Sequence, residues 1–273
     1  MKFAFSTNAY RNYSIEDAID SIHSSGYQAI ELMCDIPHAF PPLTTVKVES
    51  IIKKLRENNM EISNLNGFML CALGDFHHPS WIEKNKKERQ KRIEHTKNCI
   101  DLANILNVKT VSTEPGGPIE KLLENEALDL FEEGLNQILP IAEKNNVKIL
   151  IEPEPDLLIE NSSQFLNFIS RFNTKYLGLN FDIGHFFCVD ENPSIAIKEL
   201  KDYIGHIHLE DISKSKIHEH LIPGAGSINF ESIFEAIAEI NYKGYVTVEL
   251  YPYLENPKQA AKTALLYLQS INL

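Results

Sequence analysis

Four side chains suited to hold a hard metal ion stand at the downstream ends of four successive strand-like runs. The runs are VKILIE, ending at Glu152; YLGLNFD, ending at Asp182; IGHIHLED, containing His208; and GYVTVEL, containing Glu249. Two glutamates, an aspartate and a histidine make an oxygen-rich site for one divalent cation. Their separations are those of one or more strand–helix units, not of a local metal-binding loop. Strand alternation agrees, because residues two apart share a face: Leu150 with Glu152, Asn180 with Asp182, His206 with His208, and Thr247 with Glu249. One buried polar residue of this kind can be satisfied by hydrogen bonds alone. Four at equivalent strand ends point to a shared site, since buried charges must be paired or ligate metal.

Such a site needs a fold that gathers strand ends at one mouth, and the chain alternates strand-like and helix-like segments from end to end. Strands are expected at 2–7, 27–32, 61–66, 108–113, 147–152, 176–182, 204–210 and 244–250. Helices are expected from about Ser14, where SIED reads as a capping box, and over 44–58, 83–107, 119–145, 162–171, 193–202, 229–240 and 257–270. Short buried strands separated by helices imply parallel pairing through right-handed crossovers. The longest irregular stretches, 34–43, 67–82 and 210–228, all follow strands, which is where a barrel builds its pocket. A chain of 273 residues is close to the roughly 250 typical of one such barrel. The expected fold is therefore a single-domain TIM (β/α)8 barrel covering 1–273. A doubly wound open sheet fits less well, because no Gly-rich dinucleotide turn follows the first strand.

Composition narrows the partners. Apolar residues make up 43% and charged residues 23%, with a net charge of −12. That mean field repels polyanions and anionic membranes, so neither nucleic acid nor membrane is expected as a partner. Cys34, Cys71, Cys99 and Cys188 are scattered and form no CxxC pair, which reads as reduced thiols. The N-terminal apolar run is too short for a signal peptide, and no stretch of 18 apolar residues occurs. A cytoplasmic protein is expected.

The blocks IEP, FDIGH, GHIHLED, IPGAG and GYVTVEL, in that order, resemble the xylose-isomerase-like barrel superfamily. It includes ketose 3-epimerases, hydroxypyruvate isomerase, inosose dehydratases and endonuclease IV. The resemblance covers nearly the whole chain and implies that Glu152, Asp182, His208 and Glu249 hold Mn, Mg, Co or Zn. It also includes a histidine three residues after the aspartate, here His185. PHAFPP (37–42) looks most like the sugar and sugar-amine 3-epimerases. In ketose epimerases an arginine follows the metal histidine by six residues, where this chain has Lys214. The resemblance further suggests a dimer or tetramer.

The chemistry fits independently. Moving a proton beside a carbonyl requires a base and an acid on opposite faces, plus a Lewis acid for the enediolate. Glu152 and Glu249 can each ligate with one oxygen and exchange a proton with the other. The expected activity is isomerisation or epimerisation of a sugar or sugar-like polyol. A metal-dependent dehydratase or lyase acting on an inosose or keto-acid comes second, and an endonuclease IV-like phosphodiesterase third. A non-catalytic binding barrel is disfavoured by two proton carriers in one site.

Substrate contacts are expected from His185, Glu114, Asp211, His218 and His220, with His206 supporting His208 from a deeper layer. Glu210 and Asp211 are candidates to orient His208 or a substrate hydroxyl, the alternative being a solvated loop start. Endonuclease IV carries an Asp-x-His before its Gly-x-Gly. Here His218 and His220 occupy those places and, with His185, suggest a second metal. Against it, Glu114 stands where that enzyme has a zinc-binding histidine, and Asn64 or Asn66 stands near another. Phe40, Trp81, Phe186 and Phe187 are candidate pocket walls, Glu154 and Glu160 read as loop charges, and Gly116, Gly117, Gly224 and Gly226 permit tight turns or phosphate approach.

Overall fold

In the computed structural model, which describes residues 1–271, eight parallel strands pair in chain order and close on themselves. They are β1 (Lys2–Ser6), β2 (Ala29–Met33), β3 (Glu61–Asn66), β4 (Thr110–Thr113), β5 (Lys148–Ile151), β6 (Leu177–Asp182), β7 (Ile204–Leu209) and β8 (Tyr245–Val248). The helices around them are α1 (Ile15–Ser24), α2 (Thr45–Glu57), α3 (Lys86–Leu106), α4 (Glu124–Asn145), α5 (Ser162–Ile169), α6 (Ile183–Cys188), α7 (Pro193–Glu199), α8 (Phe230–Glu239) and α9 (Pro257–Ser270). The single TIM barrel expected from the sequence is the fold. No helix among the described residues is long and apolar enough to cross a membrane.

Local chemistry sets the element ends. The Ser14 hydroxyl caps α1 by accepting from the Asp17 amide at 3.1 Å. Asp17 does not complete the expected box: its carboxylate accepts from the Ser14 hydroxyl at 2.7 Å. Helices α3 and α4 both stop at an asparagine in the left-handed region, Asn107 (φ 56°) and Asn146 (φ 53°), a conformation asparagine tolerates at a helix end. The same Asn-Val-Lys triplet then opens β4 and β5. Helix α4 starts at Glu124, not 119, because Glu120 itself sits at φ 50°. Between β6 and α7 lies a helix the sequence did not announce. α6 has six residues, too few to show a period, and its cap is the Asp182 side chain, which accepts from the His185 amide at 2.8 Å.

Apolar packing lies between the sheet and the helices, where Trp81, Phe131 and Phe168 stack in sequence, with centroids 5.6 and 4.8 Å apart. The barrel centre is different. Branched aliphatic residues usually fill it, but here Glu31, Asn64, Ser112, Asn180, His206 and Thr247 are fully buried or nearly so. Register brings them level: Glu31 beside Asn64, Asn180 beside His206, and His208 between Asp182 and Thr247. A polar centre requires internal partners, and those partners fix the residues at the mouth.

Candidate active site

Glu152, Asp182, His208 and Glu249 converge. Each offers a ligand atom within 4.8 Å of those of the other three, and none is more than 6% exposed. His208 Nδ1 lies 2.7 Å from Glu152 Oε1, 3.8 Å from Asp182 Oδ2 and 3.7 Å from Glu249 Oε2. Parallel-sheet geometry explains the meeting, since backbone bonds extend the ladders past β5 and β8 to Glu152 and Glu249. The protein holds one oxygen of each carboxylate: Asp182 Oδ1 accepts from the His185 amide, Glu249 Oε1 from Asn8 at 2.8 Å and Asn66 at 3.3 Å, and Glu152 Oε1 from His208. Glu152 Oε2 and Asp182 Oδ2 are buried with no hydrogen-bond partner. Buried carboxylate oxygens seldom go unpaired, and this donor set of carboxylates and one imidazole fits a divalent cation.

The residue that completes this arrangement is one the sequence reading passed over. Glu31 on β2 is fully buried and accepts from His208 Nε2 at 2.6 Å and from Asn64 and Asn66 at 2.9 and 3.3 Å. A carboxylate on the far nitrogen of a ligating histidine fixes its ring and raises its basicity. Burial would lower the pKa of His208, but Glu152, Glu31 and Glu249 outweigh it and hold that pKa well above the usual range. The carboxylates of Glu31 and Glu152 flank the ring at its two nitrogens, so a cation held there would compete with a proton for the imidazole. For Glu31, burial acts upward, but His208 and His206 hold its pKa well below the carboxylate range. His206 Nε2 sits 3.4 Å from Glu31 Oε2, so it adjoins the same carboxylate, and its ring packs edge-on against His208 with centroids 5.4 Å apart. The available signal was a lone acid at the centre of an apolar run, AIELM.

Above these four residues lies a cavity of about 160 Å³. Glu152, Glu154, Glu249 and Asn66 form part of its lining, the four imidazoles of His77, His185, His218 and His220 another part, and Phe68, Met69, Phe76 and Tyr251 an apolar wall. His185, His218 and His220 meet as expected, each with a ring nitrogen within 4.8 Å of the other two. His185 Nδ1 donates to the Pro153 carbonyl at 2.9 Å and His220 Nδ1 to the Glu249 carbonyl at 3.0 Å. Nε2 is the nitrogen each ring leaves free of these carbonyls, and His220 Nε2 lies 3.2 Å from His218 Nε2. Burial and neighbouring imidazoles lower the pKa of His218, and burial takes His220 to about 4, so these two rings are neutral at physiological pH.

Two expected substrate contacts are engaged elsewhere. Glu114 turns outward to α3: Oε1 accepts from the Trp81 amide at 3.1 Å and lies 3.4 Å from Arg92 Nε, in a pair buried from solvent on both sides. Asp211 faces its own loop, where its carboxylate takes four backbone amides, those of Ile212, Gly224, Gly226 and Ile228, at 2.8–3.1 Å. Glu210 packs against Gly184, and neither of its buried oxygens has a partner. Among the expected walls, Trp81 and Phe186 belong to the apolar core, and Phe40 stacks on His95. Glu154, read as a loop charge, is instead a pocket residue. Burial and then the charges of Glu152, Glu249 and Asp182 push its pKa well up.

The family model of the xylose isomerase-like TIM barrel matches residues 19–271. An inosose dehydratase of Mesomycoplasma hyopneumoniae (strain J) is 27% identical, over 94% of this chain and 89% of that protein. Among solved structures, a D-tagatose 3-epimerase-like protein superposes with a TM-score of 0.81 at 25% identity, covering 100% of this chain and 98% of the other. The IOLI protein with a bound zinc atom reaches 0.82 at 20% identity, covering 99% and 98%.

Proposed function

The chain belongs to the xylose isomerase-like TIM barrel family, and from that premise we propose that it is a divalent-cation-dependent enzyme acting on a sugar or sugar-like polyol, by isomerisation or epimerisation beside a carbonyl. The observation that carries this reading is the convergence of Glu152, Asp182, His208 and Glu249, with two unpartnered carboxylate oxygens, beneath a cavity. Those four residues would hold Mn, Mg, Co or Zn. A cation there supplies Lewis acidity to the substrate's carbonyl and neighbouring hydroxyl oxygens.

The rest falls to the chain's own groups. Glu152 and Glu249 reach the cavity from β5 and β8 and are the proton carriers, one taking up the proton beside the carbonyl and the other delivering its own proton to the opposite face. Glu31 holds the His208 ring by accepting from its Nε2. Asn8 and Asn66 hold Glu249. His185 and Glu154 face the cavity and serve substrate hydroxyls. His218 and His220 line the cavity beside His185. The ligand is a small molecule, not nucleic acid.

Dehydration is the second reading, favoured by the inosose dehydratase among the relatives. It shares the proton abstraction and differs in losing water. The test is incubation of cation-loaded protein with ketoses and cyclitols in D₂O. Deuterium appearing beside a carbonyl without loss of water supports epimerisation or isomerisation, and loss of water supports dehydration. Glu249→Gln should lower turnover at least about a hundredfold, the usual contribution of positioned acid–base catalysis, while cation is retained more weakly. Full turnover by that variant removes Glu249 from proton transfer.

A further inference from the structure

Resting on the polyol reading above, we infer that the ligand is uncharged: a polyhydroxylated molecule carrying neither phosphate nor carboxylate. In barrels of this kind a phosphate is commonly held by backbone amides of the loops after strands seven and eight. Here the loop after β7 has such a ring of amides, and a side chain of the protein occupies it. Asp211 Oδ2 takes Gly224 and Gly226 at 2.9 and 2.8 Å, and Oδ1 takes Ile212 and Ile228 at 2.9 and 3.1 Å. A Cβ on Gly226 would lie 2.3 Å from Asp211 Oδ1, so this glycine serves the internal carboxylate and not an incoming anion. The glycine pair after β4 is likewise closed by packing. A Cβ on Gly116 would meet Leu158 at 2.6 Å, and one on Gly117 would meet Ser80 at 2.5 Å.

The cavity's charge points the same way. No lysine or arginine lines it among the described residues, whereas Glu152, Glu154 and Glu249 do. With Asp182 at its floor, the carboxylates outnumber the charge of a single divalent cation. The two nearby arginines, Arg92 and Arg11, are not among the lining residues. Arg92 is fully buried and donates to the Pro79, Gly67 and Phe68 carbonyls beside Glu114. Arg11 lies over the Phe76 ring at 5.0 Å and donates to the Tyr251 carbonyl at 3.4 Å. What remains is a set of apolar rings, Phe68, Phe76 and Tyr251, beside hydrogen-bonding groups, which suits the C–H face and hydroxyl edge of a neutral polyol.

The test is calorimetric titration of the cation-loaded full chain, in phosphate-free buffer, with neutral ketoses, cyclitols and inososes, each against its own phosphate ester. The expected result is binding of at least one neutral member on the order of tenfold or more tighter than its ester, because like charges juxtaposed in a buried site are strongly disfavoured. An ester that binds as tightly as its parent or tighter overturns the inference and leaves the polyol reading standing. Failure of every neutral and phosphorylated member to bind the cation-loaded protein overturns the polyol reading, and the inference with it. A gain-of-binding variant isolates charge as the cause. His77→Lys adds a cation to the cavity lining and should bring the ester about tenfold closer to its parent; an unchanged ratio counts against charge exclusion.

Discussion

At the scale of single residues, the site depends on which proton sits where. His208 is held at both nitrogens, by Glu31 on one side and Glu152 on the other, at 2.6 and 2.7 Å. Glu31 keeps its partner through any exchange at Nδ1, so it orients the ring whether a proton or a cation is bound. Glu31→Gln retains an acceptor but removes the charge that makes the imidazole basic. Cation affinity, measured by chelator competition, should fall about 10–100-fold with the barrel's circular dichroism unchanged. Unaltered affinity would reduce Glu31 to a filler of the polar centre. The convergence of Glu152, Asp182, His208 and Glu249 was legible because each stands at the downstream end of its own strand. Glu31 was not, since its value lies in facing His206 and His208 across the barrel, a relation that strand spacing does not encode. Glu114 failed for the opposite reason: its position after β4 suits a pocket residue, but Arg92 on α3 draws the side chain outward.

At the scale of elements, two of the loops that line the pocket are each gathered by a charged side chain. Arg92 gathers three carbonyls from the loop between β3 and α3, the same loop that supplies Phe68, Met69 and Phe76. Asp211 gathers four amides of the loop between β7 and α8, which carries His218 and His220, and the Asp211–Leu221 bridge closes it. Hydrogen bonds to a charged group contribute roughly 1.5–3 kcal/mol each, but Gly224 and Gly226 are exposed, so water can replace part of the loss. Asp211→Ala should therefore destabilise by about 3 kcal/mol, and amide exchange should quicken across 211–228 before it does in the strands. A melting temperature equal to that of the parent would mean the loop holds itself. The eight strands and the long helices followed from alternation and period. What did not was any element defined by a single cap, such as α6 on Asp182, or by one strained residue, such as Glu120 ahead of α4.

Across the whole molecule, a closed barrel with a polar centre and buried imidazoles links stability to pH. Acid unfolding must charge histidines that the fold keeps neutral. His38 isolates this effect because it lies outside the cation site. It is 2% exposed, and its Nε2 lies 3.1 Å from the Tyr10 carbonyl. Burial is the main cause that takes its pKa from 6.5 to about 4; nearby Lys47 adds to it, and hydrogen bonds to the Tyr10 and Tyr13 backbone and the charge of Glu16 oppose it. The folded pKa lies below the unfolded one, so between about pH 6.5 and about pH 4 the unfolded chain binds more protons at this site. The stability His38 supports is therefore complete above 6.5 and drains away as the pH falls toward 4. At about 1.4 kcal/mol per unit, the loss by pH 4.5 is on the order of 2–3 kcal/mol. Urea unfolding at pH 7.5 and 4.5 measures it: His38→Gln keeps a donor for the Tyr10 carbonyl but cannot take up a proton, so it should lose about that much less than the parent over the same interval. Equal losses in the two proteins would show that His38 already carries its proton in the folded state, and that the acid sensitivity of the barrel resides in its other buried imidazoles.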